Sequence, residues 1–354
     1  MRSHALPSAQ RLLTEASDLA YICTPRELST YEIFDANAYY GNDYVIKLYA
    51  NWPLDRPLKL VVPHGSVLNS QYIWDAERQA RLPAVLAYSE DRARAYRQHT
   101  RKFPISSAPP LAYIPGLMGL DASTDVPRRG TLFFPSHSTH HLTAHTDFEG
   151  LAESLLRLDE RLQPVTVCIY WRDYELGRHL PFHYRGLRVV SAGHIYDREF
   201  LFRLYFLCRS HLYAASNSLG THLAYSLISG CTFFYHDGFD VLQSGTNEFL
   251  RTKSKNSDDS LQLKEVFSEP VMSTTESQYQ LVSRLYGIDR VLSPQRMRQV
   301  LSMTDRIDKY GVAISPVDGG LQFGLPWKSV RSILRIGRTA RRAMMRKKSP
   351  ESAH

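Results

Sequence analysis

No run of about 18 apolar residues occurs in this chain, so no helix is expected to span a membrane. The opening stretch MRSHALPSAQRLL has no apolar core of the kind a secretory signal needs. Cysteine is scarce. Cys23, Cys168, Cys208 and Cys231 are far apart and form no CxxC pair, which reads as reduced core thiols in a cytosolic protein rather than as disulfides or a zinc site. No DxD acidic pair is present, so a divalent cation bridging a diphosphate finds no obvious carboxylate ligands.

Net charge is also missing over most of the length. The 354 residues carry 43 Lys and Arg against 35 Asp and Glu, a formal charge of +8. Nine bases and one acid lie at or beyond Lys328; 43 less nine and 35 less one leave 34 of each sign before it. A nucleic-acid-binding protein spreads its basic footprint over a folded face. Here the body is neutral and the excess sits in a tail, so no nucleic-acid partner is expected. The 43% hydrophobic and 22% charged content belongs to a globular chain, and the length suits two domains.

An α/β rhythm runs through the body. Leu58-Lys-Leu-Val-Val62 reads as a buried strand stopped by Pro63-His64-Gly65. Ala84-Val-Leu-Ala-Tyr88 is another, and Ser89-Glu90-Asp91 is an N-cap signal for a helix to about His99. Ser107–Arg129, rich in Pro and Gly, is the linker candidate. Thr131–Phe134, Val165–Tyr170, Leu187–Val190, His211–Ala215 and Cys231–Tyr235 then read as five strands, with helices from Asp147, Arg198 and Thr221 between them. Residues 239–290 read as loops and helices, and 291–325 as one or two more helices.

Polar or small residues stand at the carboxyl end of each strand, where open α/β sheets bind ligands. In Ser216-Asn217-Ser218-Leu219-Gly220-Thr221-His222, hydroxyls and free N–H groups at a helix start suit a phosphate, although the same serines also serve as plain helix caps. Ser136, His137, Ser138, Thr139 and His140 form a second such strand end, and Gly193-His194 a third. Spacing also allows His137, His141 and His145 to share one helical face around a metal, but Pro135 and the hydroxyl content favour a loop. His64, with Gly65 permitting close approach, is the candidate general base, and Glu149 is the acidic runner-up.

The motifs FFPSHSTHH, CIYWRD, VVSAGHIYDREFL and ASNSLGTHLAYSLISG, in this order, resemble the nucleotide-sugar half of GT-B-type glycosyltransferases, in particular those of bacterial lipopolysaccharide and capsule assembly. The resemblance spans roughly residues 58–238. It implies two Rossmann-like domains facing a cleft: an acceptor domain over 1–125 and a donor domain over 126–325. Ser136, Ser138 and Thr139 would lie by the donor phosphate and sugar, Gly193 and His194 by the base or ribose, and Ser216, Asn217, Ser218, Gly220, Thr221 and His222 by the phosphate. Arg172 would neutralise leaving-group charge, so that no metal cofactor is expected. The Glu that commonly grips the donor ribose has no counterpart near SNSLGTH, which leaves a CMP-activated acidic sugar open beside UDP and GDP donors. Alternatives are a nucleotide-sugar epimerase on the same scaffold and a non-catalytic, membrane-associated partner of a glycan assembly complex.

In the tail, 326–354, Lys328, Arg331, Arg335, Arg338, Arg342 and Arg346 fall within about 80° of one another on a helix. Such a cationic amphipathic helix suits an anionic membrane surface. The expectation is a cytoplasmic protein, peripheral on the inner face of the cell membrane, serving a glycan or lipid-linked glycan acceptor.

Overall fold

The structure is a computed structural model that describes all residues except 1–5, 64, 66–71, 121–127, 140–141, 240, 246–256, 311, 318–319 and 327–354. His64, His140 and the six basic tail residues from Lys328 to Arg346 therefore lie outside the described residues.

In chain order the strands are β1 (Leu60–Val61), β2 (Ala84–Ala87), β3 (Phe103–Ser106), β4 (Thr131–Phe134), β5 (Leu142–His145) and β6 (Val165–Cys168). They continue as β7 (Arg188–Val190), β8 (Tyr213–Ser216), β9 (Thr232–Tyr235), β10 (Leu242–Gly245), β11 (Val312–Val317) and β12 (Gly320–Pro326). β1, β2 and β3 form a parallel sheet in sequential order. β4 and β6–β9 form a second parallel sheet, ordered β7-β6-β4-β8-β9. The five strands are apolar because helices cover both faces of such a sheet. The fold is thus α/β, two Rossmann-like units facing a cleft.

The strand order fixes where a ligand belongs. Chain progression runs outward from β4 through β6 to β7, then jumps back across β4 to β8 and on to β9. The connections on either side of β4 therefore depart in opposite directions, leaving a crevice at the carboxyl ends of β4 and β8.

Local signals behave as their chemistry requires. Ser89 accepts the Arg92 N–H at the start of helix Glu90–His99, and Asp147 accepts the Gly150 N–H at the start of Phe148–Leu156. Several segments differ from expectation, β3 and the β5–β10 pair being strands where none was read. Residues 107–120 are core rather than free linker: they form two short helical turns with Ala108, Leu111, Tyr113 and Ile114 buried. Val312–Val317 and Gly320–Pro326 pair antiparallel as β11 and β12 rather than as helix, following helix Pro294–Tyr310. β-branched Val312, Ile314 and Val317 favour the strand.

The two units share a continuous apolar cluster that includes Leu60 and Leu86 beside Leu132 and Phe202. The first helix, Ala9–Ser17, joins it through Leu12 and Ala16 and seats on the five-stranded unit. Its Glu15 meets the buried Arg203 at 3.2 Å, and Ser191 N–H donates to the Ala16 carbonyl. Helix Pro294–Tyr310 instead returns to the three-stranded unit, pairing Asp305 with Arg56 and Asp308 with Lys59. Among the described residues no helix is long and apolar enough to cross a membrane.

Candidate functional site

A cavity of about 360 Å³ opens at the crevice between β4 and β8. Phe134 to His137 and Thr139 line it from the end of β4; Ser218 to His222 line it from the end of β8. Gly65, just past β1, closes it from the other unit, with Tyr40 and Asn42 beside it. A Cβ on Gly65 would come within 3.5 Å of the Thr221 hydroxyl, and its φ of +74° favours glycine there.

The β4 loop is pinned from two sides. Asn217 Oδ1 accepts the Ser136 N–H at 2.8 Å, and Asp173 Oδ2 accepts the Ser138 N–H at 2.9 Å. Asp173 is buried and its other oxygen takes Arg178 at 2.6 Å. Arg178 also donates to the Ser138 hydroxyl, which in turn accepts the Ala144 N–H. A buried ion pair whose remaining oxygens are hydrogen-bonded holds geometry well, and leaves a large penalty if one partner is lost.

On the β8 side, Ser216 accepts the Ser218 N–H at 3.0 Å and fixes the turn. Helix Thr221–Ile228 begins at Gly220 with no side chain capping its first N–H groups. Those N–H groups and the positive end of the helix dipole face an anion readily. His222 packs on Phe134 and donates Nε2–H to the Ser218 carbonyl at 3.0 Å. Burial lowers its pKa to about 4, with His137 adding repulsion. His137 is open to solvent at the cavity yet crowded by protein, and that desolvation lowers its pKa against the opposing pull of Asp173. Both imidazoles are neutral near pH 7.

Opposite stand phenols. Tyr40 and Tyr170 bring their hydroxyls to 3.1 Å, and Tyr170 packs on His137. Burial lifts Tyr40 well above its ordinary pKa and Tyr170 to about 12, so both keep their protons. Tyr40 adopts φ +60°, an uncommon conformation for a non-glycine residue, held by its N–H on the Ile195 carbonyl and its ring 4.7 Å from Phe200.

The residues named from sequence thus divide. Gly65, Ser136, His137, Thr139, Ser218, Gly220, Thr221 and His222 share the cavity lining. Ser138, Ser216 and Asn217 lie behind it as buried braces. Gly193 and His194 are outside the lining: a Cβ on Gly193 would meet Arg203 at 3.0 Å, and His194 packs on Trp171 at 4.2 Å. Arg172 pairs with Glu175 at 2.8 Å, and exposed Glu149 pairs with Arg185; neither lines the cavity. His145 lies on β5 with its ring 3.0 Å from the Ser244 hydroxyl, so the helical face that would join it to His137 does not exist. Among the described residues no three His, Cys, Asp or Glu side chains gather as a metal-holding group. Sequence reading missed Tyr40, Asn42, Tyr170 and Tyr225 in the lining. The run Tyr39-Tyr40-Gly41 is the visible signal for Tyr40, while Tyr170 and Tyr225 stand inside the motifs CIYWRD and ASNSLGTHLAYSLISG.

No family model matches the chain, and no curated protein sequence matches it. Solved structures give distant likenesses. A point mutant of S. aureus TarM, in complex with fondaparinux, α-GlcNAc-glycerol and UDP, is 10% identical with TM-score 0.31, covering 73% of this chain and 49% of its own. An S. aureus MnaA–UDP structure is 9% identical with TM-score 0.38, covering 90% and 84%. The pneumococcal O-GlcNAc transferase GtfA, with UDP and GlcNAc, is 13% identical with TM-score 0.31, covering 76% and 54%. This chain spans about half the length of TarM and of GtfA.

Proposed function

We propose that this chain is a metal-independent glycosyltransferase that moves a sugar from a nucleotide-activated donor to a hydroxyl of a growing surface glycan. One observation carries the reading: the cavity lies at the reversal point of a five-stranded parallel sheet, under an uncapped helix start, and is closed by a residue of the facing unit. The donor phosphate sits against the first N–H groups of Thr221–Ile228, with the Thr221 and Ser218 hydroxyls near.

Transfer breaks the bond from the anomeric carbon to the phosphate oxygen, and the electron pair leaves with the nucleotide. The acceptor oxygen forms the new bond, and its proton passes to an imidazole. His64 beside Gly65 is the proposed base; His137 is the described imidazole nearest that role, being neutral and in the lining. Helix dipole and hydroxyls stabilise the leaving charge in place of a metal. The motif resemblance supports a lipopolysaccharide- or capsule-type acceptor, and the basic tail supports work at the inner membrane face.

The test is thermal shift of the full chain with UDP, CMP, GDP and dTDP, followed by transfer assays with and without EDTA. One nucleotide should stabilise the protein, by about 2.7 kcal/mol at a hundredfold excess over Kd. No binding by any nucleotide sinks the proposal. Donor turnover without acceptor replaces it with epimerisation. In the same preparation, failure to sediment with anionic vesicles removes the membrane assignment.

A further inference from the structure

Asn42 stands in the cavity lining with an amide that the fold does not use. It opens helix Asn42–Tyr49, where an asparagine ordinarily serves as a cap, yet the cap position belongs to Gly41 and no side chain bonds the first N–H groups. Only 3% of the residue is exposed, and no described group hydrogen-bonds its amide. A buried amide without a partner is disfavoured, and one that faces a cavity marks where a ligand completes the bonds. The backbone is clamped to keep it there. Tyr40 and Gly41 are consecutive left-handed residues, at φ +60° and +75°. Tyr40 N–H donates to the Ile195 carbonyl, a Cβ on Gly41 would overlap the Arg198 carbonyl, and Asn42 N–H donates back to Asn37 and Tyr39. Uncommon backbone of this kind persists where its surroundings over-determine it, and it gathers at binding sites.

We propose that Asn42 reads the transferred sugar, its carboxamide bonding two neighbouring hydroxyls of the ring. The inference rests on the glycosyltransferase reading and names the residue that sets its sugar specificity. A carboxamide accepts at Oδ1 and donates at Nδ2, so a pair of adjacent hydroxyls, one donating and one accepting, matches it. The phenols of Tyr40, Tyr170 and Tyr225 and the Thr221 hydroxyl share the lining and also both donate and accept, which suits a polyol. Position selects the sugar over the nucleotide. Asn42 lies beside Gly65, and Gly65 faces the Thr221 hydroxyl at the helix start that takes the donor phosphate. The group that hangs from the phosphate on that side, between the two units, is the one being transferred.

The test compares the full chain with its Asn42→Leu variant, which keeps the branched shape and removes the polar atoms. Calorimetry measures UDP, GDP, CMP and dTDP, each beside its nucleotide sugars, among them UDP-glucose, GDP-mannose, CMP-N-acetylneuraminate and dTDP-glucose. The tightest sugar donor should bind the variant about 10-fold more weakly, while the bare nucleotide stays within about twofold. Its deoxy analogues, each lacking one ring hydroxyl, close a cycle: one of them should lose about as much on the parent and little further on the variant. Losses that add in full overturn the inference. So does equal weakening of nucleotide and donor, or a parent that gains nothing from any sugar; each leaves the transferase reading intact. No binding by any nucleotide or donor removes both readings. Melting separates reading from mere structure: Asn42→Leu should melt at or above the parent, because it removes an unpaired buried amide. A drop of several degrees, in it and in Asn42→Ala alike, assigns the amide to the fold and overturns the inference.

Discussion

The wall of the cavity built at β4 and β8 and the wall built around Tyr40 are held by different forces. The first is braced by hydrogen bonds and charge buried behind it: Asn217 to Ser136, Asp173 to Ser138, Arg178 across both. The second is aromatic and held by close packing and backbone tension. Tyr40 is left-handed with its ring tilted against Phe200, and Gly41 presses on the Arg198 carbonyl so tightly that a Cβ would overlap its oxygen. Polar bracing fixes direction, while packing fixes shape.

Breaking the polar wall should have the largest effect. Asp173→Ala leaves Arg178 without its partner and the Ser138 N–H unmet, at a cost of about 3–5 kcal/mol in chemical denaturation. Asp173→Asn keeps an oxygen for Ser138 and should recover part of that loss. If both variants melt like the parent, the brace does not hold the loop. Next comes the packed wall. Gly41→Ala forces a side chain into the Arg198 carbonyl at φ +75° and should cost about 2 kcal/mol or more. Retained stability in that variant would show that the segment has slack.

A further prediction separates the walls by pH. His222, with a folded pKa of about 4 against an ordinary 6.5, binds fewer protons folded than unfolded between those values. Its contribution is therefore complete above pH 6.5 and is lost as pH falls toward 4, at no more than about 1.4 kcal/mol per pH unit. His137 adds a loss of the same sign. The phenols of the other wall, lifted by burial, are silent in that range. His222→Phe should flatten the acid limb of a stability-versus-pH curve, and an unchanged limb would place the titration elsewhere.

Much of this was legible in the chain. The five strands of the larger sheet, the Ser89 and Asp147 caps and the SNSLGTH helix start are local in origin, set by apolar runs and hydroxyl chemistry. What is not local was harder to read. Ser138, Ser216 and Asn217 look the same in sequence whether they face a ligand or hold a turn from behind, because a hydroxyl or amide at a strand end does either. Arg172 and Asp173 are adjacent, and only the fold turns Asp173 inward to Arg178 while Arg172 pairs with Glu175. Residues 107–120 carry linker composition, yet the apolar side chains among the prolines fill the core between the units. Tyr40 reaches the cavity through a backbone conformation that composition does not announce.

The two ends of the described chain trade places: the first helix seats on the five-stranded unit, and helix Pro294–Tyr310 seats on the three-stranded one. Neither unit is therefore a contiguous stretch of gene. An exchange of one half with a relative would strand Leu12 and Ala16 from their seat and split the Glu15–Arg203 pair.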